Sequence, residues 1–285
     1  MTQPFGGALT LARAALPSIP VVNLLPGIRK TGGELAGLSR TGDPVTVERA
    51  RVDAYAAVCG FPAKDTVPLP YPHLLAFDLQ MAIMSDPRFP APAIGTVHLE
   101  NSITAHRAIA IGETLGVTAS VGPAKPHPKG TLYDFLTVVT ADGETVWEEN
   151  STYLRRGKGD PSASSGTVFP EAETHGIVWR LPADLGRRYA AVSGDHNPIH
   201  LYPLTAKAFG FPRQIAHGMW TMARCVAALE NRLPDAVRVD VAFKKPVLLP
   251  GSVAFGSTLV DGGYAFALTS PTSGAPHLAG RTTAL

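Results

Sequence analysis

Tyr55-Ala56-Ala57-Val58-Cys59-Gly60 returns 134 residues later as Tyr189-Ala190-Ala191-Val192-Ser193-Gly194, and this repetition decides how the 285-residue chain is read. Farther along, Ile111-Gly112-Glu113 and Pro250-Gly251-Ser252 each follow an apolar, strand-like run, at an offset of 139. Offsets that stay nearly constant over about 50 residues indicate two copies of one unit rather than chance.

Each copy closes on a hairpin pattern. Tyr133 to Thr140 and Glu144 to Leu154 alternate apolar and polar side chains about Asp142-Gly143, and Tyr264 to Ser270 and His277 to Leu285 do so about Ser273-Gly274. Each copy also carries one main helix. His217 to Leu229 is apolar nearly all round and should be buried; Tyr71 to Met84 is its counterpart, with Pro72 where a helix start tolerates proline. The implied unit is one buried helix wrapped by an antiparallel sheet, an α+β arrangement. Residues 1–45, rich in Gly and Pro, read as an N-terminal arm packed on the surface or partly disordered. Residues 46–156 form the first unit, 157–170 a linker built on the polar Gly157 to Gly166, and 171–285 the second unit.

Bulk composition excludes several classes. With 45% hydrophobic and 17% charged residues the chain is globular. A net charge of +2, without a basic run interleaved with aromatics, gives no expectation of nucleic-acid binding. No apolar run reaches the ~18 residues of a membrane span. Gly7 to Leu16 lacks a basic flank and is interrupted by Arg13, so it does not read as a leader. Cys59 and Cys225 lie far apart without metal-ligand spacing, which suits buried thiols in a reducing, cytoplasmic setting.

The two copies differ at one place. Gly194 to His217 takes 23 positions, whereas Gly60 to Tyr71 takes 11. The first copy lacks about a dozen residues of SGDHNPIHLYPLTAKAFGFPRQIAHG, residues 193–218. Here Asp195 and His200 sit five apart around Asn197-Pro198, and Pro198 fixes its own φ while keeping Asn197 out of the α region. The stretch therefore reads as a stiff overhanging loop that brings a carboxylate and an imidazole to one reacting carbon. Phe61 and Pro62 follow Gly60 where Asp195 and His196 follow Gly194, so only the second unit is expected to do chemistry. Gly218 opens the buried helix, where backbone N–H groups and the helix dipole favour negative charge.

Tyr189-Ala190, Ser193-Gly194-Asp195, Asn197-Pro198-Ile199-His200, Ala208-Phe209-Gly210-Phe211 and Ile215-Ala216-His217-Gly218-Met219 together resemble the hydratase-2 motif of MaoC-like (R)-specific enoyl-CoA hydratases and 3-hydroxyacyl-thioester dehydratases. The duplicated layout, with one truncated copy, is similar to the double-hot-dog members of that family. The resemblance implies two hot-dog units joined edge to edge into one continuous sheet, with the degenerate unit leaving room for a bulky acyl chain. It implies reversible, syn addition or loss of water on a thioester carried by CoA or acyl carrier protein, with no other cofactor and no metal.

Physical chemistry distributes the roles. Asp195 and His200 would exchange protons with water and C2 as a coupled pair, Asn197 would fix the loop or the water, and the Gly218 amide would polarise the thioester carbonyl. Ser193 and His217 are candidates either for bonding the loop or for contacting substrate. Arg213, Lys244 and Lys245 are candidates for the carrier's phosphates or form a solvated basic edge. Tyr71, Phe77, Met81 and Met84 either line the acyl groove or pack the core. A metal site at Asp195, His196 and His200 is disfavoured by Pro198, and a Ser193-His200-Asp195 triad lacks the G-x-S-x-G elbow. A hot-dog thioesterase, a noncatalytic acyl-thioester binder and a homodimer all stay open.

Overall fold

The computed structural model describes residues 30–93, 95–174 and 177–285. Most of the N-terminal arm lies outside the described residues. Its last part does not remain an arm: β1 (Ser39–Thr41) and β2 (Val45–Thr46) pair with β4 (Thr114–Val121) at a sheet edge.

The first unit continues with α1 (Arg49–Cys59), α2 (Pro72–Ser85), β3 (Thr96–Ala105), β5 (Lys125–His127), β6 (Gly130–Ala141) and β7 (Glu144–Arg156). The second has β8 (Ile177–Leu181), α3 (Leu185–Ser193), two short helices α4 (Pro198–Leu201) and α5 (Pro203–Ala208), then α6 (Gly218–Leu229). Strands β9 (Val237–Phe243), β10 (Gly251–Val260), β11 (Gly263–Thr269) and β12 (Pro276–Ala284) complete it. All pair antiparallel in one sheet, in the order β1-β4-β6-β7-β3-β9-β12-β11-β10-β8, with β2 on β4 and β5 on β6.

The duplication is visible as geometry. The β6–β7 hairpin turns on Asp142 and Gly143, at φ 50° and 84°, the left-handed pair that a tight two-residue turn demands. Between the units, β3 pairs with β9 from Glu100↔Ala242 to Ala105↔Val237, so two edges that would otherwise be open close on each other. The repeated Tyr-Ala-Ala-Val segments are the last turns of α1 and α3. Each ends on a left-handed glycine, Gly60 at φ 82° and Gly194 at φ 78°, whose N–H bonds to Ala56 O and Ala190 O.

One core runs through both units. It includes Tyr55, Trp147, Tyr189, Trp220, Val239 and Val241, all buried. A second cluster under α2 gathers Phe77, Met81, Ile83, Met84, Phe89 and Phe135. Tyr71, Phe77, Met81 and Met84 are thus core side chains in this conformation. Burying residues of this size stabilises by about 1.5–3 kcal/mol each, which makes α2 a packed spine.

Candidate active site

Residues 193–218 do not form one extended loop. Pro198 begins α4 rather than breaking a helix, because a first helical position has no intrahelical use for the missing N–H. Asn197 caps it at φ −56° and ψ 124°, its Oδ1 accepting the Ile199 N–H at 3.4 Å. Upstream, Ser193 Oγ accepts the Asp195 N–H at 3.2 Å, and Asp195 Oδ1 accepts the Asn197 N–H at 3.0 Å. These short-range bonds fix the Asp195 carboxylate, whose side chain is 23% exposed and so open to a substrate.

His200 is buried, and its Nδ1–H donates to the Ile215 carbonyl at 2.8 Å. That bond sets the tautomer and leaves Nε2 as the nitrogen free to exchange a proton. His217 is 2% exposed; its Nε2–H donates to the Asp195 carbonyl at 3.0 Å, while the Asp195 carboxylate oxygen Oδ2 stands 3.8 Å away, beyond hydrogen-bond range. The two imidazoles stack, centroids 3.7 Å apart, and Tyr189 packs on His217 at 4.8 Å. Geometrically, His217 holds the loop by its backbone.

Burial dominates the electrostatics. It pushes His200 below the ordinary histidine value, against the pull of the Asp195 charge, so the ring is neutral at pH 7. Burial, helped by neighbouring His200, lowers His217 to about 3. An unfolded histidine titrates near ~6.5, so between these values the unfolded chain binds more protons. The stability tied to neutral His217 is therefore full above about pH 6.5 and is lost as pH falls toward 3, at about 1 kcal/mol per pH unit. Urea unfolding from pH 7.5 to 4.5 should show this decline, and His217→Gln should flatten it in part. His98, lowered to about 3 mainly by burial, and His200, lowered for the same reason, keep the remainder.

Gly218 is the first residue of α6, whose leading amides have no acceptor inside the helix. A Cβ there would lie 3.3 Å from the Phe243 ring, so glycine lets that ring pack against the start of α6. Asp195, His200 and His217 each place one ligand-type atom within 4.8 Å of the others. This trio replaces Asp195, His196 and His200 as the set that spacing would offer a metal. The reason is that His196 is exposed and its Nδ1–H turns back to Gly194 O at 2.9 Å. Ser193 bonds the loop backbone, which gives it no nucleophile's position on His200.

The comparisons with known proteins agree with this geometry. Residues 182–267, which hold every one of these groups, match the family described as MaoC like domain. Over 284 residues, spanning 98% of each chain, the sequence is 39% identical to 3-hydroxyacyl-thioester dehydratase X of Mycobacterium tuberculosis. The chain belongs to the MaoC-like dehydratase family. The crystal structure of HtdX from the same organism superposes with a TM-score of 0.77 at 38% identity, covering 87% of this chain and 100% of that one. Enoyl-CoA hydratase ChsH3, also of M. tuberculosis, is 33% identical over 113 residues, 37% of this chain and 38% of that one.

In this MaoC-like chain the geometry makes two further residues legible. Gly186 on α3 lies so close to His200 that a Cβ would stand 1.9 Å from the His200 carbonyl oxygen. The signal was a glycine inside a helical stretch, which costs about 1 kcal/mol unless something needs the space. Ile215 acts through its carbonyl, which no sequence pattern reports. Arg213, Lys244 and Lys245 are exposed; the two lysines directly follow Phe243, and their backbone N–H groups extend the ladder to His277 and Pro276.

Proposed function

We propose that this MaoC-like dehydratase is a reversible (R)-3-hydroxyacyl-thioester dehydratase, hydrating 2-enoyl thioesters in the reverse direction. One observation carries the reading: a partly exposed carboxylate and a tautomer-fixed, neutral imidazole are held beside the open amide end of a buried helix. In hydration, Asp195 Oδ2 and His200 Nε2 grip one water. The pair removes a proton from it as oxygen attacks C3, and returns a proton to C2 on the same face. The Gly218 amide and the α6 dipole hold the charge that develops on the thioester oxygen. Asn197 holds the carboxylate and caps α4.

The same pair serves both directions, so dehydration regenerates the starting protonation states. A spectrophotometric assay tests this: the protein should bleach the enoyl-thioester absorbance of 2-enoyl-CoA without releasing free thiol. Free thiol released together with an acid that keeps its C2–C3 double bond would replace the reading with thioester hydrolysis.

The carrier is CoA or acyl carrier protein, and both bring phosphate. Lys244 and Lys245 stand just past Phe243 and Arg213 lies in the same overhang, so these three supply the positive rim. Replacing both lysines with alanine should raise KM for 2-enoyl-CoA about fivefold, leave kcat unchanged and weaken the salt dependence of kcat/KM. No helix among the described residues is long and apolar enough to cross a membrane. A cytoplasmic location accords with the two cysteines, both buried and free.

A further inference from the structure

The first unit buries a polar cluster that the proposed chemistry does not use. Glu149 on β7 has a fully buried side chain, with His73 Nδ1 and Asn101 Nδ2 each 2.7 Å from its Oε1 and Gln80 Nε2 3.4 Å from its Oε2. Asn101 Nδ2 also donates to Ser151 Oγ at 3.0 Å, and Gln80 Nε2 to Thr137 Oγ1 at 3.3 Å. Taking a carboxylate out of water costs several kcal/mol, so such a group persists where something other than packing favours it.

The duplicate unit shows that the fold does not require this cluster. Matching hydrogen bonds register the copies: Val67 N to Ile109 O against Ala216 N to Val247 O, and Ile111 N to Asp65 O against Leu249 N to Gln214 O. On the helices this sets His73 and Gln80 against Met222 and Leu229. On the strands, Asn101 answers to Val239, and the pairs Ile103↔Glu149 and Val241↔Gly280 set Glu149 against Gly280. The catalytic unit is apolar or glycine at all four positions where the first unit is polar.

The cluster also lies close to the reacting centre. Phe243 stands over Gly218, its ring centroid is 4.9 Å from that of His98, and His98 stacks toward His73 at 6.3 Å. An acyl chain that passes from the Gly218 amide into the first unit meets these polar groups after two rings. Among the described residues, Gln80 Oε1 and Asn101 Oδ1 are buried acceptors without a hydrogen-bond partner. Each calls for a donor, and a methylene chain brings none.

We infer that His73, Gln80, Asn101 and Glu149 determine acyl-chain specificity. They form a polar stop that accepts a short chain, or one bearing a hydroxyl where it reaches the cluster, and rejects a long saturated chain. The inference rests on the dehydratase reading and names the substrate class of that same site. It reverses the expectation that the degenerate unit simply provides room for bulk. The physical basis is asymmetric: a site of buried hydrogen-bonding groups rejects a ligand that leaves them unpaired far more strongly than an apolar site rejects a misfit methylene.

The test compares kcat/KM for but-2-enoyl-CoA, dodec-2-enoyl-CoA and 12-hydroxydodec-2-enoyl-CoA. Wild type should prefer the four-carbon chain over the saturated twelve-carbon chain by about tenfold or more, with the hydroxyl recovering part of the loss. A combined His73→Met, Gln80→Leu, Asn101→Val, Glu149→Ala variant, copying the apolar character of the second unit, should narrow that preference at least severalfold. Wild-type activity that is flat with chain length, or highest on the saturated long chain, overturns the inference even if the variant does not fold. So does a folded variant with an unchanged profile. A wild type that hydrates none of the three instead overturns the dehydratase reading itself.

Discussion

Asp195→Asn and His200→Ala should each lower kcat for 2-enoyl-CoA hydration by about 10³-fold, within the 10²–10⁴ range that a positioned acid or base contributes. The asparagine keeps an oxygen to accept the Asn197 N–H, so the loop survives while the proton-exchanging carboxylate is gone. Removing His200 leaves the Ile215 carbonyl without its donor and opens space beside His217, so far-ultraviolet circular dichroism should accompany that measurement. Under the proposed mechanism the two groups share one water, so the double variant should be little worse than the worse single variant. Losses that multiply would mean that Asp195 and His200 act in separate steps.

Gly186→Ala should damage the site without touching any group that reacts. Its Cβ would lie 1.9 Å from the His200 carbonyl oxygen and 2.9 Å from the carbonyl carbon, and both are backbone, so no side chain can swing aside. Either α3 backs away from α4 or the His200 peptide moves. Overpacking of this kind costs about 1–3 kcal/mol, and an ångström of misplacement at a catalytic group costs about 10²-fold in rate. The expected result is a lower unfolding midpoint together with a fall of about 100-fold in kcat. Gly157→Ala, with open space around it and no left-handed φ, is the control and should change neither quantity. Wild-type kcat in Gly186→Ala would show that this contact does not position His200.

Much of the architecture was legible because duplication puts the same physical demand on the chain twice. The Asp142-Gly143 turn and the buried α2 and α6 follow from period, turn chemistry and offset, whereas the long joined sheet is what the family resemblance implies. The helical state of Tyr55 to Cys59 and Tyr189 to Ser193 was less evident, although Gly60 and Gly194 carry the signal of a left-handed helix end. Pro198 misled in the opposite direction: proline was read as a helix breaker where it stands at the first position of α4.

The chemistry of the site divides in the same way. Asp195, His200 and Gly218 stand out by type and spacing, whereas the Ile215 carbonyl, the stacking of His217 on His200 and the clearance at Gly186 depend on which backbone atoms meet in space. The polar cluster around Glu149 was hidden for a further reason. Alternation sets Glu149 on the same face of β7 as Trp147 and Tyr153, but a glutamate reads by type as solvent-facing, and only the donors His73, Gln80 and Asn101 that meet it in space mark it as an interior group.

The central claim is that one Asp-His pair adds water to a single face of an enoyl thioester. Incubating the protein with but-2-enoyl-CoA in deuterated water, then analysing the configuration at C3 and the deuterium at C2, tests it directly. The account predicts (R)-3-hydroxybutyryl-CoA with hydroxyl and deuterium added syn, and CoA still attached. The (S) product, anti addition or free CoA as the main product would contradict it.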